Sequence, residues 1–404
     1  MRIGMILDKG FPPDSRVENE ALTLLNQGHD VILFCWNFGD QPETEIINGI
    51  RIHRYKLSQK LFDLLSPLAL SVPIYNHVLS HYLKQFLSEY RPDVIHAHDM
   101  VALEPVIKAS KKSTPIVLDL HENRPEIMKT YTHINSGLGK FLVNTDKWEK
   151  KQKEVVSIAD KLIVVTEEAK IDILHHQNID EQNIYVVPNT VSVESFLEYP
   201  IDKMIIERYK SSFVVLYLGS TGLRRGTDTA IRSIAILKNK IKNIKLVLVG
   251  KSRDDGKLIA LARDLNVIEN VDFEGWQNVK LFPSYIRASD VCISPLVRNR
   301  HHDTTYPNKL FQYMSLAKPV IVSDCTAQRN VVEKEQCGLI HAAGNAEDLA
   351  RQIEKFYNDK ELSNKFGANG KKAIFTQYNW TETATELVKL YKTLEKGINN
   401  EKIL

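Results

Sequence analysis

Three groups of residues in this 404-residue chain could carry chemistry, and two of them suit an anion. The stretch Asp303-Thr304-Thr305-Tyr306-Pro307-Asn308-Lys309-Leu310-Phe311-Gln312-Tyr313-Met314 reads as a helix start: capping hydroxyls, a proline that a first turn tolerates, then an amphipathic run. The free N–H groups of such a terminus converge on an anion, and Lys309 in the first turn would add a full positive charge. The second group is the loop from Gly219 through Gly222 to Gly226. Its glycines permit close backbone approach, and Arg224 and Arg225 beside them suit a diphosphate. The third group is His98 and Asp99 with His121 and Glu122, at the polar ends of two apolar runs. No local ligand spacing supports a metal there, so they read as polar residues facing a ligand. Arg16, in the first turn of a helix capped by Asp14 and Ser15, is a candidate to reach into the same space. Taken singly, each group also fits a capped crossover helix, a glycine turn or a solvated strand end.

The elements that must position these residues alternate between strand and helix. An apolar run over 2–7, a helical pattern over 16–27 ended by Gly28, and a run over 31–36 form a βαβ unit. Its first loop lacks the GxGxxG pattern, which argues against a dinucleotide cofactor. The runs that end at His98 and His121 follow, and in open parallel sheets ligands bind at the carboxyl ends of strands. Ahead of these runs, Leu61 to Leu83 is apolar and free of Lys and Arg. Pro67 and Pro73 interrupt it, so it reads as two helices joined by a bend rather than a membrane span. Residues 190–211 lose the alternation, and then the same pattern restarts with a strand ending at Gly219, a helix capped by Thr227 and a strand ending at Gly250. A last helix, Thr381 to about Lys396, carries Leu387, Leu390, Tyr391 and Leu394 at helical spacing. The expected division is 1–195 and 196–376 for two Rossmann-like α/β domains facing a cleft, with 377–404 as a closing helix.

Composition narrows the classes of function. Hydrophobic residues at 43% and charged residues at 25% fit a globular protein. A net charge of only +3 argues against a nucleic-acid partner. The charge is unevenly spread, at −6 for residues 1–200 and +9 for 201–404, and a basic second half suits a phosphate-bearing ligand. Cys35, Cys292, Cys325 and Cys337 form no CxxC pair and sit in apolar surroundings, as expected in a reducing compartment. The N-terminus meets Asp8 too early for a signal peptide's apolar segment, so a cytoplasmic location is expected.

The ordered set Phe11-Pro12-Pro13-Asp14-Ser15-Arg16-Val17-Glu18, His96-Ala97-His98-Asp99, Asp119-Leu120-His121-Glu122, Val187-Pro188-Asn189, Tyr217-Leu218-Gly219 with Arg225-Gly226, and Tyr306 to Ser323 resembles the retaining glycosyltransferases of family 4, of GT-B fold. The resemblance covers essentially the whole chain, including a C-terminal helix that crosses back onto the first domain. It implies transfer of a hexosyl or N-acetylhexosaminyl group from a nucleotide-diphosphate donor, with retained anomeric configuration. The second domain would hold the donor and the first the acceptor, without a cofactor or metal. A role in surface polysaccharide or glycolipid synthesis follows, with a sugar or lipid-linked acceptor and peripheral contact at the inner membrane face. Arg225, Lys309 and His121 fall where the family has its catalytic groups. Gly219, Gly250, Thr304, Thr305, Asn308 and Gln312 fall on the donor side, and Arg16, His98, Arg298 and Asp303 could border the cleft.

The chain departs from the family where two glutamates commonly stand seven residues apart, since Thr304 and Gln312 occupy those places. Gln312 can still bond ribose hydroxyls through both a donor and an acceptor. Asp303 or His302 could stand in for the glutamate missing at Thr304. Ser220 and Thr221 replace an arginine that commonly follows the Gly219 position, with Arg224, Arg298 and Arg300 as stand-ins. Two alternatives remain open: a nucleotide-sugar epimerase on the same fold, and a catalytically silent sugar-nucleotide-binding subunit.

Overall fold

The structure, a computed structural model, describes residues 1–66, 69, 74–130 and 145–401. The chain forms two compact units, Met1–Pro188 with Ala384–Leu404, and Asn189–Thr383.

The first unit contains an eight-stranded sheet in the order β3-β4-β2-β1-β5-β6-β7-β8. Its strands are β1 (Arg2–Gly10), β2 (Asp30–Asn37), β3 (Thr44–Ile47), β4 (Ile50–Lys56), β5 (Val94–His98), β6 (Ile116–Leu120), β7 (Lys161–Val164) and β8 (Ile184–Val186). All neighbours pair in parallel except β3 and β4. Helices cover both faces of such a sheet, which is why Ile3 to Leu7 read as an unbroken apolar run and are all buried. The β3–β4 hairpin, absent from the sequence reading, turns on Asn48 and Gly49 at φ 51° and 87°, the left-handed pair a two-residue hairpin demands. The helix Ser15–Asn26 starts where Asp14 accepts a hydrogen bond from the Val17 N–H. Helices Gln59–Leu65 and Ile74–Tyr90 occupy the apolar segment. The bend expected at Pro67 and Pro73 lies outside the described residues.

The second unit contains a six-stranded parallel sheet in the order β11-β10-β9-β12-β13-β14. These are β9 (Phe213–Leu218), β10 (Ile244–Val249), β11 (Val271–Gly275), β12 (Val291–Ser294), β13 (Val320–Ser323) and β14 (Gly338–His341). The segment read as irregular from 190 to 211 holds two short helices, Val193–Leu197 and Lys203–Tyr209. Phe196 and Tyr209 join the core of this unit, so the segment opens the second unit rather than linking two domains.

In each sheet the strand order reverses once, between β1 and β5 and between β9 and β12. Adjacent crossovers leave in opposite directions at such a point and open a crevice at the carboxyl ends of the strands. The C-terminal helix Thr385–Glu401 belongs to the first unit, where Leu387, Leu390 and Tyr391 are fully buried.

Candidate functional site

In the second unit the expected anion-binding groups gather at the carboxyl edge. The helix Asn308–Ser315 starts one residue later than its sequence suggests. Pro307 is the N-cap, with extended backbone and no side-chain cap, so neither threonine caps the helix. The Thr304 hydroxyl donates to the Arg300 carbonyl at 2.8 Å and that of Thr305 to the His301 carbonyl at 2.8 Å. Both serve the short helix Arg300–Asp303 instead. Asn308 is exposed and Gln312 partly so. Lys309 lies 3.5 Å above the centre of the Tyr217 ring and has no ion-pair partner among the described residues. Burial, and then the charge on Arg225, push its pKa well below the usual lysine range.

Arg225 closes a short 3-10 turn, Leu223–Arg225, and its Nη1 lies 3.4 Å from His302 Nε2. The other nitrogen of His302 is 2.6 Å from the Val297 carbonyl, so Nδ1 carries the proton and Nε2 faces Arg225 as an acceptor. Burial lowers the His302 pKa to about 4, which keeps the ring neutral and suited to that role. Gly226, not Thr227, caps the following helix at φ 71°, and the Thr227 hydroxyl donates to the Thr221 carbonyl at 2.7 Å. A Cβ on Gly226 would lie 1.7 Å from the Pro295 carbonyl oxygen, and one on Gly250 1.9 Å from that of Gly219. Gly250 therefore lets the Gly219 loop pack closely against it.

Arg298 and Asp303 are committed to each other and to the next helix. Arg298 Nε is 3.3 Å from Asp303 Oδ2, while Asp303 Oδ1 accepts from the Thr326 N–H at 2.7 Å. Asp303 thus caps the helix Thr326–Glu335, whose own N-cap, Cys325, supplies no side-chain bond.

In the first unit a buried ionic network lies below the carboxyl edge. Arg16 is 3% exposed, so it does not reach outward as its sequence position suggested. Its guanidinium grips Asp119 with two bonds of 2.9 and 2.8 Å, donates to the Val187 carbonyl at 2.9 Å and meets Glu20 at 3.0 Å. Asp119 Oδ2 in turn lies 2.7 Å from His121 Nε2. His98 Nδ1 is 3.1 Å from that same nitrogen, and His96 lies 3.4 Å from Glu20 and 2.9 Å from the Tyr391 hydroxyl. Burial alone would strip the proton from His121, but Asp119 and then Asp99 outweigh it and raise its pKa to about 9. Burial works the other way on Asp119, and Arg16 followed by His121 holds that carboxyl well below its ordinary value. Burial dominates at Glu20, raised to about 8, and lowers His96 and His98. Beside this network Asp8, at the end of β1, accepts hydrogen bonds from Tyr75 and from Trp36 Nε1, and burial raises it to about 6.

Glu20, His96, His98 and Asp119 are of metal-ligating types, with ligand atoms within 4.8 Å of one another. The Arg16 guanidinium already meets both side chains, which answers the Asp119 charge from within the protein. A cavity of about 590 Å³ also opens in this unit, bordered by Leu87, Arg91, Asp93, Ser110, Thr114 and Ile398. It lies at the amino ends of β5 and β6, and no residue of the ionic network borders it.

Sequence reading missed Asp119, Glu20 and Tyr217. Two of them left a signal: an aspartate inside the apolar run Ile116-Val117-Leu118-Asp119-Leu120, and a glutamate four residues after Arg16 on a helix face that also holds Val17, Ala21 and Leu24.

Sequence families account for nearly all of both units. Residues 15–195 match the family described as Glycosyltransferase Family 4, and residues 199–373 match Glycosyl transferases group 1. The chain is a glycosyltransferase built of these two domains. Among curated relatives, this glycosyltransferase is 24% identical over 266 residues to the capsular polysaccharide biosynthesis glycosyltransferase CapM of Staphylococcus aureus. That alignment covers 61% of this chain and 64% of CapM, so the chain spans somewhat less than two thirds of that relative. Sucrose-phosphate synthase from Thermosynechococcus elongatus has the same fold, with a TM-score of 0.76 at 18% identity over 98% of this chain and 99% of that one. HepE of Anabaena, solved in complex with UDP, matches at a TM-score of 0.71 and 15% identity over 97% and 100% of the two chains. The glycosyltransferase therefore has the GT-B fold of two α/β units with parallel sheets. Among its described residues, no helix is long and apolar enough to cross a membrane.

Proposed function

We propose that this glycosyltransferase moves a hexosyl or N-acetylhexosaminyl group from a nucleoside-diphosphate sugar, bound by the second unit, to a hydroxyl of an acceptor bound by the first, with retained anomeric configuration. The observation that carries the reading is the uncapped N-terminus of the helix Asn308–Ser315 with the Lys309 ammonium in its first turn, at the carboxyl edge of the second sheet, and Arg225 stands nearby against His302. Such groups bind a diphosphate and stabilise the charge that grows on it as the bond to the sugar breaks. The bond from the anomeric carbon to the diphosphate oxygen breaks while the acceptor oxygen attacks from the same face. The departing phosphate oxygen takes the acceptor's proton. No protein nucleophile and no metal is needed in this scheme, because the cationic side chains carry the leaving-group charge.

The acceptor side of the reading rests on Asp8, Asp99 and His121 at the carboxyl ends of β1, β5 and β6, beside the point where the strand order reverses. A lipid-linked acceptor at a membrane surface is supported by Leu64, 64% exposed, and Ile74, 54% exposed, both within the apolar segment of this unit. The likeness to CapM supports a place in surface polysaccharide synthesis. Thr304 and Gln312, in place of the family's glutamates, favour a second reading as a sugar-nucleotide-binding subunit without turnover.

The test is a panel of UDP-, GDP-, ADP- and dTDP-sugars screened by thermal shift, followed by transfer and donor-hydrolysis assays with the stabilising donor. The expected result is one selective donor class, with turnover falling roughly 100-fold in Arg225→Ala or Lys309→Ala, the scale of losing one charge-stabilising group. Near-normal turnover in the double variant overturns the assignment, and binding without hydrolysis or transfer selects the second reading.

A further inference from the structure

The Lys309 ammonium rests on an aromatic ring, with no carboxylate against it among the described residues. Its Nζ is 3.5 Å from the centre of the Tyr217 ring. Tyr217 is fully buried on β9, two residues before Gly219, and its hydroxyl donates to the Ser220 carbonyl at 2.6 Å. The ring is thereby fixed at both faces of its role: packed below, and tied above to the loop that carries Ser220. The bare α-carbon of Gly219 faces the same ammonium, since a Cβ there would sit 3.4 Å from Nζ. The charged and titratable groups around Lys309 are Arg225 and His302, with Arg224 acting on Tyr217 and His302 from the same turn. None is an anion. A lysine in such a setting keeps its proton only if something polarisable faces it, and the electron-rich face of a tyrosine ring does that.

We propose that Tyr217 is a positioning residue for the donor: its ring face keeps Lys309 charged and aimed past Gly219 toward the place the diphosphate takes. This rests on the donor-site reading above, and it assigns a role beyond packing to an aromatic of the core. Leucine would fill much of the same space without a π face. Phenylalanine would keep the face and lose only the bond to Ser220.

The experiment is isothermal titration of the full chain with UDP, or with the diphosphate of whichever base the panel selects. It is run at pH 8 in two buffers of different ionisation heat, so that affinity and proton uptake are both read. Tyr217→Phe should bind within about twofold of the unmodified chain, with the same proton uptake. Tyr217→Leu should bind about 2- to 30-fold more weakly, the scale of one cation–π contact. It should also take up a larger fraction of a proton, because Lys309 must be recharged when the anion arrives. A purely structural role for Tyr217 would lower the melting temperature and leave the proton count unchanged. Should the leucine variant fail to fold, Tyr217→Met serves the same arm. A folded leucine or methionine variant with unchanged affinity and proton uptake overturns the inference. Equal losses in the phenylalanine and leucine variants do so too, since they would place the effect in the hydroxyl. Failure of the unmodified chain to bind any nucleoside diphosphate overturns the donor-site reading and takes this inference with it.

Discussion

Burying an imidazolium is unfavourable unless a carboxylate is fixed against it, and at His121 that carboxylate is Asp119, fixed from its other side by Arg16. The sign of the resulting pH dependence follows from the raised values. His121 titrates at about 9 against an ordinary 6.5, so the stability it contributes is complete below about 6.5 and is lost as pH rises through 9. Glu20, raised to about 8 from 4.5, holds a proton the unfolded chain has released and therefore acts in the same direction. The first unit should lose stability between pH 6.5 and 9, read as falling opening free energies from hydrogen exchange at the amides of β5 and β6, with a shallower fall in His121→Gln. Asp119→Asn should cost the first unit on the order of 3–5 kcal/mol in urea unfolding, since it leaves the Arg16 charge buried with half its partners. At this scale the sequence was partly legible. Lys309 and Arg225 are legible as cations beside a helix start and a glycine loop, and the structure has both there. Arg16 was misread, because a helix N-terminus looks alike whether its arginine faces water or a buried aspartate.

Secondary-structure elements hold these residues in place through a few contacts that are costly to change. The C-terminal helix buries Leu387, Leu390 and Tyr391 on one face, as their spacing predicts. Leu390→Ala should destabilise the first unit by about 2–5 kcal/mol, the range for emptying a buried leucine site, measured by denaturant midpoint. In the second unit, Gly226→Ala places a methyl group where the Pro295 carbonyl stands, on backbone at φ 71°. The Leu223–Arg225 turn must shift to admit it, so both the melting temperature and nucleotide affinity should fall. Helix and strand types were legible because their periods of 3.6 and 2 are written along the chain. Helix starts were less so: Thr304, Thr305 and Thr227 all have capping chemistry, yet each hydroxyl turns to a nearby carbonyl.

At the scale of the molecule, two units with separate cores carry separate parts of the proposed reaction. A ligand held by one unit stabilises that unit by mass action and leaves the other untouched. A nucleoside diphosphate at 100 times its Kd adds about 2.7 kcal/mol. Calorimetry should therefore show the transition of residues 189–383 moving upward with the donor nucleotide, while that of the first unit, C-terminal helix included, stays in place. Equal movement of both transitions would contradict a donor site confined to the second unit.

Local pattern along the chain specifies the two α/β units and the closing helix, because apolar periodicity and glycine loops act over a few neighbouring positions. What the polar residues meet depends instead on the packing of distant elements. His96 finds the Tyr391 hydroxyl 295 positions away, Arg16 finds Asp119 103 positions away, and Lys309 finds the ring of Tyr217. The reason is physical: local pattern sets which face of an element is buried, whereas a buried charge is tolerated only where distant elements bring its partner, and that convergence is a property of the packed core.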